Sequence, residues 1–444
     1  MLADLPHEIV HLILDKLSRL DPNAVWNVCL AGNHELYRMA LPFTWRNVYF
    51  VTSPEHPPGE FSRLVDAFMA SEERVLAARR VLFTFIGPHS HRGIYDALEP
   101  HLKSFINVTS AFIEFLDATR RTPIPWHGQS GGTPLYTVQL IAGSLPSLSS
   151  IRVEGCQDRY VEPWDDLPPS QALKRVVTRY CSDDLAELWA MTPGLQVVEV
   201  QGGIVGGVWG DAGNYTRTYG NFSYDPGVSV NGFLREDMLS KLTQLHLLHD
   251  MYAPKFHANN ECEDVVSMLT DLNCSLPLLV ELILDMEFEV EEFQVVWTIL
   301  RTHAPNLKRL KLTIGADFSR YKPQDAKELL WSLDDGPGQF MALEELWLPV
   351  DGIQDQELVI STLEADTPNL KLLLLLPPQE REESLIRSAT EMLAEALEDL
   401  EVVSWHNNCD VQISRGVDGG VVSSVKALSP MSWWAEGFRG VGEL

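Results

Sequence analysis

One short phrase constrains the fold of this chain more than anything else in it. A leucine or similar aliphatic residue is followed three and five positions later by two more, Leu-x-x-Leu-x-Leu. The phrase starts at Leu148, Leu173, Leu195, Leu242, Leu279, Leu307, Leu343, Leu370 and Leu400. Proline stands two residues ahead of it at Pro146, Pro193, Pro277, Pro305 and Pro368. Starts separated mostly by about 22 to 37 residues are the mark of stacked units. The second and third aliphatic positions are two apart, so they share one face of a strand. Helical patterning follows most phrases, over 183–191, 262–272, 291–303, 324–333, 355–365 and 380–397. Strand, helix, strand, helix with right-handed crossovers predicts an α/β fold. In it a curved solenoid has a parallel strand row inside and helices outside.

The first 50 residues read differently. Pro6 begins a helix carrying Ile9, Leu12, Ile13, Leu14 and Leu17. Pro22 begins a second, and Asn33 is placed to cap a third that Pro42 ends. Residues 45–50 alternate like a short strand. The expected division is a small all-α domain over 1–50, a linker and connecting helix over 51–77, and the repeat domain over 78–444. Helical stretches are expected at 63–76 and 94–120, and a strand at Val81 to Phe85. A glycine- and aromatic-rich insertion occupies 201–232, and a terminal cap about 410–444. So short a helical piece buries too little to stand alone, and it needs the next domain or a partner to complete its core.

Charge narrows the partners. The chain has 444 residues and a formal net charge of −28. It would be repelled by the phosphates of nucleic acid and of anionic membranes. Six scattered cysteines without a Cys-x-x-Cys pair read as reduced thiols of the cytoplasm or nucleus. No apolar run is long enough to span a bilayer, and the N-terminus lacks the basic start and apolar core of a secretion signal.

Two resemblances follow from these residues. The repeats resemble leucine-rich repeats of the strand–helix kind. In that family the ninth position is often Asn or Cys, as at Cys156, Cys181 and Asn408 here, while the other six phrases depart from it. The N-terminal piece resembles an F-box through Leu5–Pro6–His7–Glu8–Ile9, Ile13–Leu14–Leu17, Val28–Cys29–Leu30, Ala40–Leu41–Pro42 and Trp45–Arg46–Asn47–Val48. It departs from the usual F-box pattern between Leu30 and Tyr37. The order is that of fungal F-box-like proteins. The resemblance implies a non-catalytic, cofactor-free substrate-recognition subunit of a Skp–cullin–F-box ubiquitin ligase. Its Skp-type adaptor, which links it to the cullin, would meet Leu5, Pro6, Ile9, Ile13 and Leu14. The rival reading of those five residues is that they merely pack the three helices together. A ligase-independent protein-binding scaffold is the rival reading.

A substrate would then meet the repeat strands. The residue between the second and third aliphatic positions points to the opposite face, expected to be concave and solvated. Arg309 and Lys311 form a basic spot there, and Trp347, Leu372 and Leu374 an apolar one, which makes these five the candidate substrate-binding residues. The tail residues Trp433, Trp434 and Phe438 could instead cover the apolar group. Residues 256–300 hold ten acids and no Lys or Arg. This is either a solvated acidic face or one to which a basic partner would be steered.

Catalytic patterns fail on their context. Gly128–Gln129–Ser130–Gly131–Gly132 has the letters of a nucleophile elbow, but prolines precede it where a strand is required. No phosphate-binding glycine loop has its lysine. His246, His249 and His257 lie near Asp250 and Cys262, on different elements and without the convergence zinc requires. No metal site or enzyme activity is expected.

Overall fold

The computed structural model describes residues 5–20, 22–52, 59–86, 91–116, 134–156, 170–179, 192, 194–201, 239–248, 269, 276–286, 290–314, 338–351, 356–376, 383–405, 409–415 and 421–427. Two compact units contain them, the first built mainly from residues up to Gly194 and the second from Leu195 onward. Both are mixed α/β with parallel strands paired in chain order.

In the first unit three helices, α1 (His7–Leu20), α2 (Pro22–Cys29) and α3 (His34–Thr44), precede strand β1 (Asn47–Thr52). Then come α4 (Glu60–Met69), α5 (Glu72–Ala77), β2 (Arg80–Ile86), α6 (His91–Leu102), β3 (Ser110–Leu116), α7 (Pro134–Ser144), β4 (Ser150–Glu154) and β5 (Arg175–Arg179). Strands β1 to β5 pair side by side, all parallel. In the second unit the order is β6 (Val197–Gln201), β7 (Gln244–Leu248), β8 (Glu281–Met286), α8 (Val290–His303), β9 (Arg309–Ile314), β10 (Glu345–Asp351), α9 (Gln356–Asp366), β11 (Leu372–Leu376), α10 (Glu383–Ala396), β12 (Val402–Trp405), β13 (Cys409–Arg415) and β14 (Val421–Ala427). Strands β6 to β12 are parallel neighbours, and β13 and β14 add antiparallel at the end.

Each of the nine phrases makes one strand, β4 to β12, starting two residues after its first aliphatic residue. The local chemistry repeats with it. The first aliphatic N–H turns back to a carbonyl three residues earlier, as Leu307 to Ala304 at 3.1 Å and Leu400 to Leu397 at 3.1 Å. The next two N–H groups both donate to one carbonyl of the preceding strand unit. Lys308 and Arg309 share the Val280 oxygen, Glu344 and Glu345 that of Lys308, and Lys371 and Leu372 that of Glu344, all between 2.8 and 3.0 Å. A carbonyl has two lone pairs, so this fork fixes where each strand begins against its neighbour. The second and third aliphatic residues are then buried, among them Leu310, Leu312, Leu346, Leu348, Leu373 and Leu375. Trp405 on that side donates to Thr390 of α10 at 3.2 Å.

A second register device sits just before the phrase. Asn306 Nδ2 donates to the Pro277 carbonyl at 2.7 Å, and Asn369 Nδ2 to the Met341 carbonyl at 2.7 Å. Asn107 reaches the Leu76 carbonyl at 2.8 Å, and Ser147 Oγ the Ile106 carbonyl at 2.6 Å. At three of the nine phrases the position immediately ahead of the first aliphatic residue thus ties one unit to the last, and Asn107 makes the same kind of tie ahead of β3. At the ninth position, where leucine-rich repeats carry their Asn or Cys, Cys156 is fully buried here. Cys181 and Asn408 lie outside the described residues.

Several expectations are corrected. The helical stretch expected over 94–120 stops at Leu102, and Ser110–Leu116 is strand β3. Its alternate residues Ala111, Ile113 and Phe115 are buried, and a period of two wins over composition. The stretch at 63–76 is two helices, α4 and α5. Strand β1, assigned above to the all-α piece, is the first strand of the sheet. Pro42 does not end α3, which runs to Thr44 with the Trp45 N–H bonded to the Leu41 carbonyl. Asn33 caps α3 as expected, its side chain accepting from the N–H groups of Glu35 and Leu36. Pro349, without an N–H, sits where the pairing of β10 with β11 shifts between Trp347 and Asp351. Helices expected over 291–303, 355–365 and 380–397 are α8, α9 and α10. Those over 183–191 and 324–333, most of 262–272, the insertion 201–232 and the tail from 428 lie outside the described residues.

The asparagine ties make a testable prediction. A hydrogen bond of this kind is worth about 1 kcal/mol. Replacing Asn306 and Asn369 together by Ala should therefore lower stability by roughly 2 kcal/mol in urea unfolding, with no change in far-UV circular dichroism.

Candidate binding surfaces

Helices α1 to α3 close on a core of Val10, Leu14, Val25, Cys29, Leu36, Met39 and Ala40, with Leu17, Val28 and Phe43 packed against it. At 100° per residue, Val10, Leu14 and Leu17 occupy one face of α1. Ile9, Leu12 and Ile13 lie on the adjoining face and are exposed, Leu12 at 67%, and Leu5 just ahead of the helix is exposed too. Trp26 and Leu30 in and just after α2 are exposed as well. Most of the sequence-derived adaptor candidates therefore share this stripe: Leu5, Pro6, Ile9 and Ile13 are exposed. Leu14 is not among them. It is 0% exposed, because it sits 100° round the helix from Ile13, inside the core. The stripe also contains Leu12, which is not among the five candidates. The signal for Leu12 was present in its spacing three residues after Ile9.

The helical trio is anchored to the sheet that follows it. Arg46 Nη1 is 2.7 Å from Asp15 Oδ1 of α1. The Trp45 ring meets Trp26 of α2 edge-on at 6.0 Å and Phe68 of α4 at 5.7 Å. The Arg74 guanidinium lies 4.8 Å above the Trp45 ring. Phe68 continues into Phe50, Phe105 and Phe83, the aromatic core of the first unit. The trio's core is thus completed by the sheet, and its outer stripe is not.

The strand face opposite the aliphatic positions is more closed than alternation alone suggests. In the second unit the mid-strand residues align in register as Glu199, His246, Ile283, Lys311, Trp347, Leu374 and Ser404. All seven are buried. This corrects the expectation that Lys311, Trp347 and Leu374 face solvent. Strands about 4.8 Å apart press neighbouring side chains against one another, so the flanking strands cover a central column. Lys311 Nζ sits 4.1 Å above the Trp347 ring, which accounts for a cation tolerated at that depth. Of the five substrate candidates only Arg309 and Leu372 keep partial exposure.

Two columns of that face carry a charge cluster. His246 Nε2 is 2.8 Å from Glu281 Oε1, and its Nδ1 is 3.9 Å from Glu199 Oε2. Glu281 also holds Arg309 through its other oxygen. Burial alone would push the His246 imidazole below its ordinary value, but the two carboxylates outweigh it and raise it. Glu345, beside Arg309 in register, is raised by burial and by Glu281, against the lowering influence of Arg309. Glu281, counted above in an acidic stretch, is therefore spent on internal pairing. No three His, Cys, Asp or Glu side chains among the described residues are placed to hold a metal ion. Gly128–Gly132, with Ser130, lies outside the described residues, as do His249, His257 and Cys262.

In the first unit the same face differs. The register column Tyr49, Leu82, Phe112, Arg152, Val177 begins with an exposed tyrosine and two half-buried apolar side chains. The Arg152 guanidinium lies 4.6 Å above the Phe112 ring and pairs with Glu154, which Arg179 also approaches at 3.8 Å. Glu114 accepts a 3.2 Å hydrogen bond from Thr84 and is raised by burial and by Glu154.

No protein-family model matches this chain, and no curated protein is significantly similar to it.

The His246 cluster predicts a pH dependence. A proton held more tightly in the folded than in the unfolded chain stabilises the fold at low pH. That contribution is lost as pH rises from the ordinary histidine value through the raised one. Glu345 and Glu114, also raised, act with the same sign at lower pH. The unfolding free energy should fall as pH rises above the ordinary histidine value, by at most about 1.4 kcal/mol per pH unit on account of His246. In His246→Gln that part of the slope should vanish, as read from urea titrations at each pH.

Proposed function

We propose that the chain is the substrate-recognition subunit of a Skp–cullin–F-box ubiquitin ligase, with an F-box-like head and a leucine-rich-repeat body. The observation that carries this reading is the exposed apolar stripe of Ile9, Leu12 and Ile13 on α1, with Leu5 exposed just ahead of it, on a three-helix head that turns Val10 and Leu14 into a core of its own. Such a stripe on a soluble surface is costly unless a partner covers it. The motif order that resembles an F-box supplies the partner's nature, a Skp-type adaptor. The parallel strand row gives the second half of the role, a broad face on which a protein substrate can be held.

The mechanism is proximity. The adaptor side fixes the chain to the cullin assembly, and the strand face holds the substrate, so ubiquitin transfer on other subunits becomes effectively intramolecular. No catalytic group is required of this chain, and no cofactor. Among the described residues no helix is long and apolar enough to cross a membrane. Action in the cytoplasm or nucleus belongs to the same proposal.

The test is co-purification of the full chain with the adaptor. Central apolar contacts of such interfaces are worth about 2 kcal/mol or more each. Ile9→Asp with Leu12→Asp should weaken binding by more than about 100-fold while leaving the urea midpoint unchanged, since both side chains are exposed. Leu14→Asp is a poor probe because it would unfold the head. Retention of the adaptor by the double variant would refute adaptor docking and leave the ligase-independent scaffold.

A further inference from the structure

The strand face of the first unit carries an unusual charge. Its three outward columns, taken over β1 to β5, hold Arg80, Arg152, Arg175 and Arg179 but only two acids, Glu114 and Glu154. Among the described residues the face sums to +2 (four arginines less two glutamates) on a chain whose formal charge is −28. Arg152 and Arg179 pair with Glu154, and Arg80 and Arg175 have interactions of their own, so the face is cationic by its net sign and not through any unused guanidinium. Through the middle runs the apolar row Tyr49, Leu82 and Phe112, with Val51 exposed beside Tyr49 on the edge strand.

We propose that this face is the docking site for an acidic linear peptide segment of a partner protein, an aliphatic or aromatic anchor lying on Tyr49, Leu82 and Phe112 and its carboxylates toward Arg80 and Arg175. The inference rests on reading the strand face as the substrate side, and is independent of the adaptor. It names the substrate chemistry and moves the site from the C-terminal strands, where the apolar residues are packed away, to the N-terminal ones. Two physical terms favour this occupant. The rest of the protein repels an acidic segment, so a local cationic face selects where it can land. The partly exposed apolar row gives an anchor that charge alone does not. Five strands at about 4.8 Å spacing span roughly 19 Å, the length of roughly six extended residues.

The experiment selects a random 12-residue phage-displayed peptide library on the full-length chain, then measures synthetic copies of the winners by fluorescence anisotropy. The expected winners carry net negative charge and at least one large apolar residue, and their affinity falls with added salt. Arg175→Glu, and separately Tyr49→Ser, should each weaken them by about tenfold or more. Both positions are exposed. If Arg175→Glu fails to fold, Arg175→Gln replaces it with the same expectation. Neutral or basic winners, no enriched sequence at all, or winners indifferent to both substitutions would each overturn the proposal. The same variants are carried through adaptor co-purification. Adaptor retained without acidic-peptide binding sinks this inference alone. Peptide binding by a chain that captures no adaptor sinks the ligase reading alone.

Discussion

Everything in this fold depends on where each strand begins. Parallel strands lack the short hairpin that sets register in antiparallel pairs, and a slip of one residue would turn every aliphatic side chain to the wrong face. Here two consecutive N–H groups close on a single carbonyl of the preceding unit, and the turn of the first aliphatic residue holds them in place. Asn107, Ser147, Asn306 and Asn369 reinforce the join from one side. The apolar burial that stabilises the units follows from that alignment. So does the stacking of unlike side chains on the other face.

That other face shows how one register serves two environments. In the second unit it brings Glu199, His246, Glu281 and Arg309 together at low exposure, where opposite charges must be neighbours because water is scarce. In the first unit β1 is the edge strand among the described residues, and Tyr49 and Val51 stay exposed. The helical head shows the same contrast on a smaller scale. Leu14 and Ile13 are adjacent in sequence, yet one closes the core and the other faces outward.

The strand row was legible because its signal is local and periodic. Each Leu-x-x-Leu-x-Leu phrase needs no distant residue to be read, and all nine became strands. Strand β3 was missed because Phe112 and Phe115 serve helices and strands alike, and no proline-marked phrase precedes it. The exposure of Lys311, Trp347 and Leu374 was misjudged for a different reason. Alternation says which way a side chain points, but lateral coverage by the next strands is a property of the assembled sheet. Leu14 was misplaced because adjacency in a motif does not give an angle around a helix. Leu5, Pro6, Ile9 and Ile13 are exposed, as a docking residue has to be. The charge sign of the β1–β5 face was beyond reach, since Arg80, Arg152, Arg175 and Arg179 come together only through pairing across nearly 100 residues (179 − 80 = 99).

Strand β13 reverses direction after β12, and β14 reverses it again, so that β14 runs with the row. These last two joins are direct antiparallel pairings, whose register does not depend on the forked carbonyl of a preceding parallel unit. A register fault among the parallel strands therefore need not carry into the final hairpin.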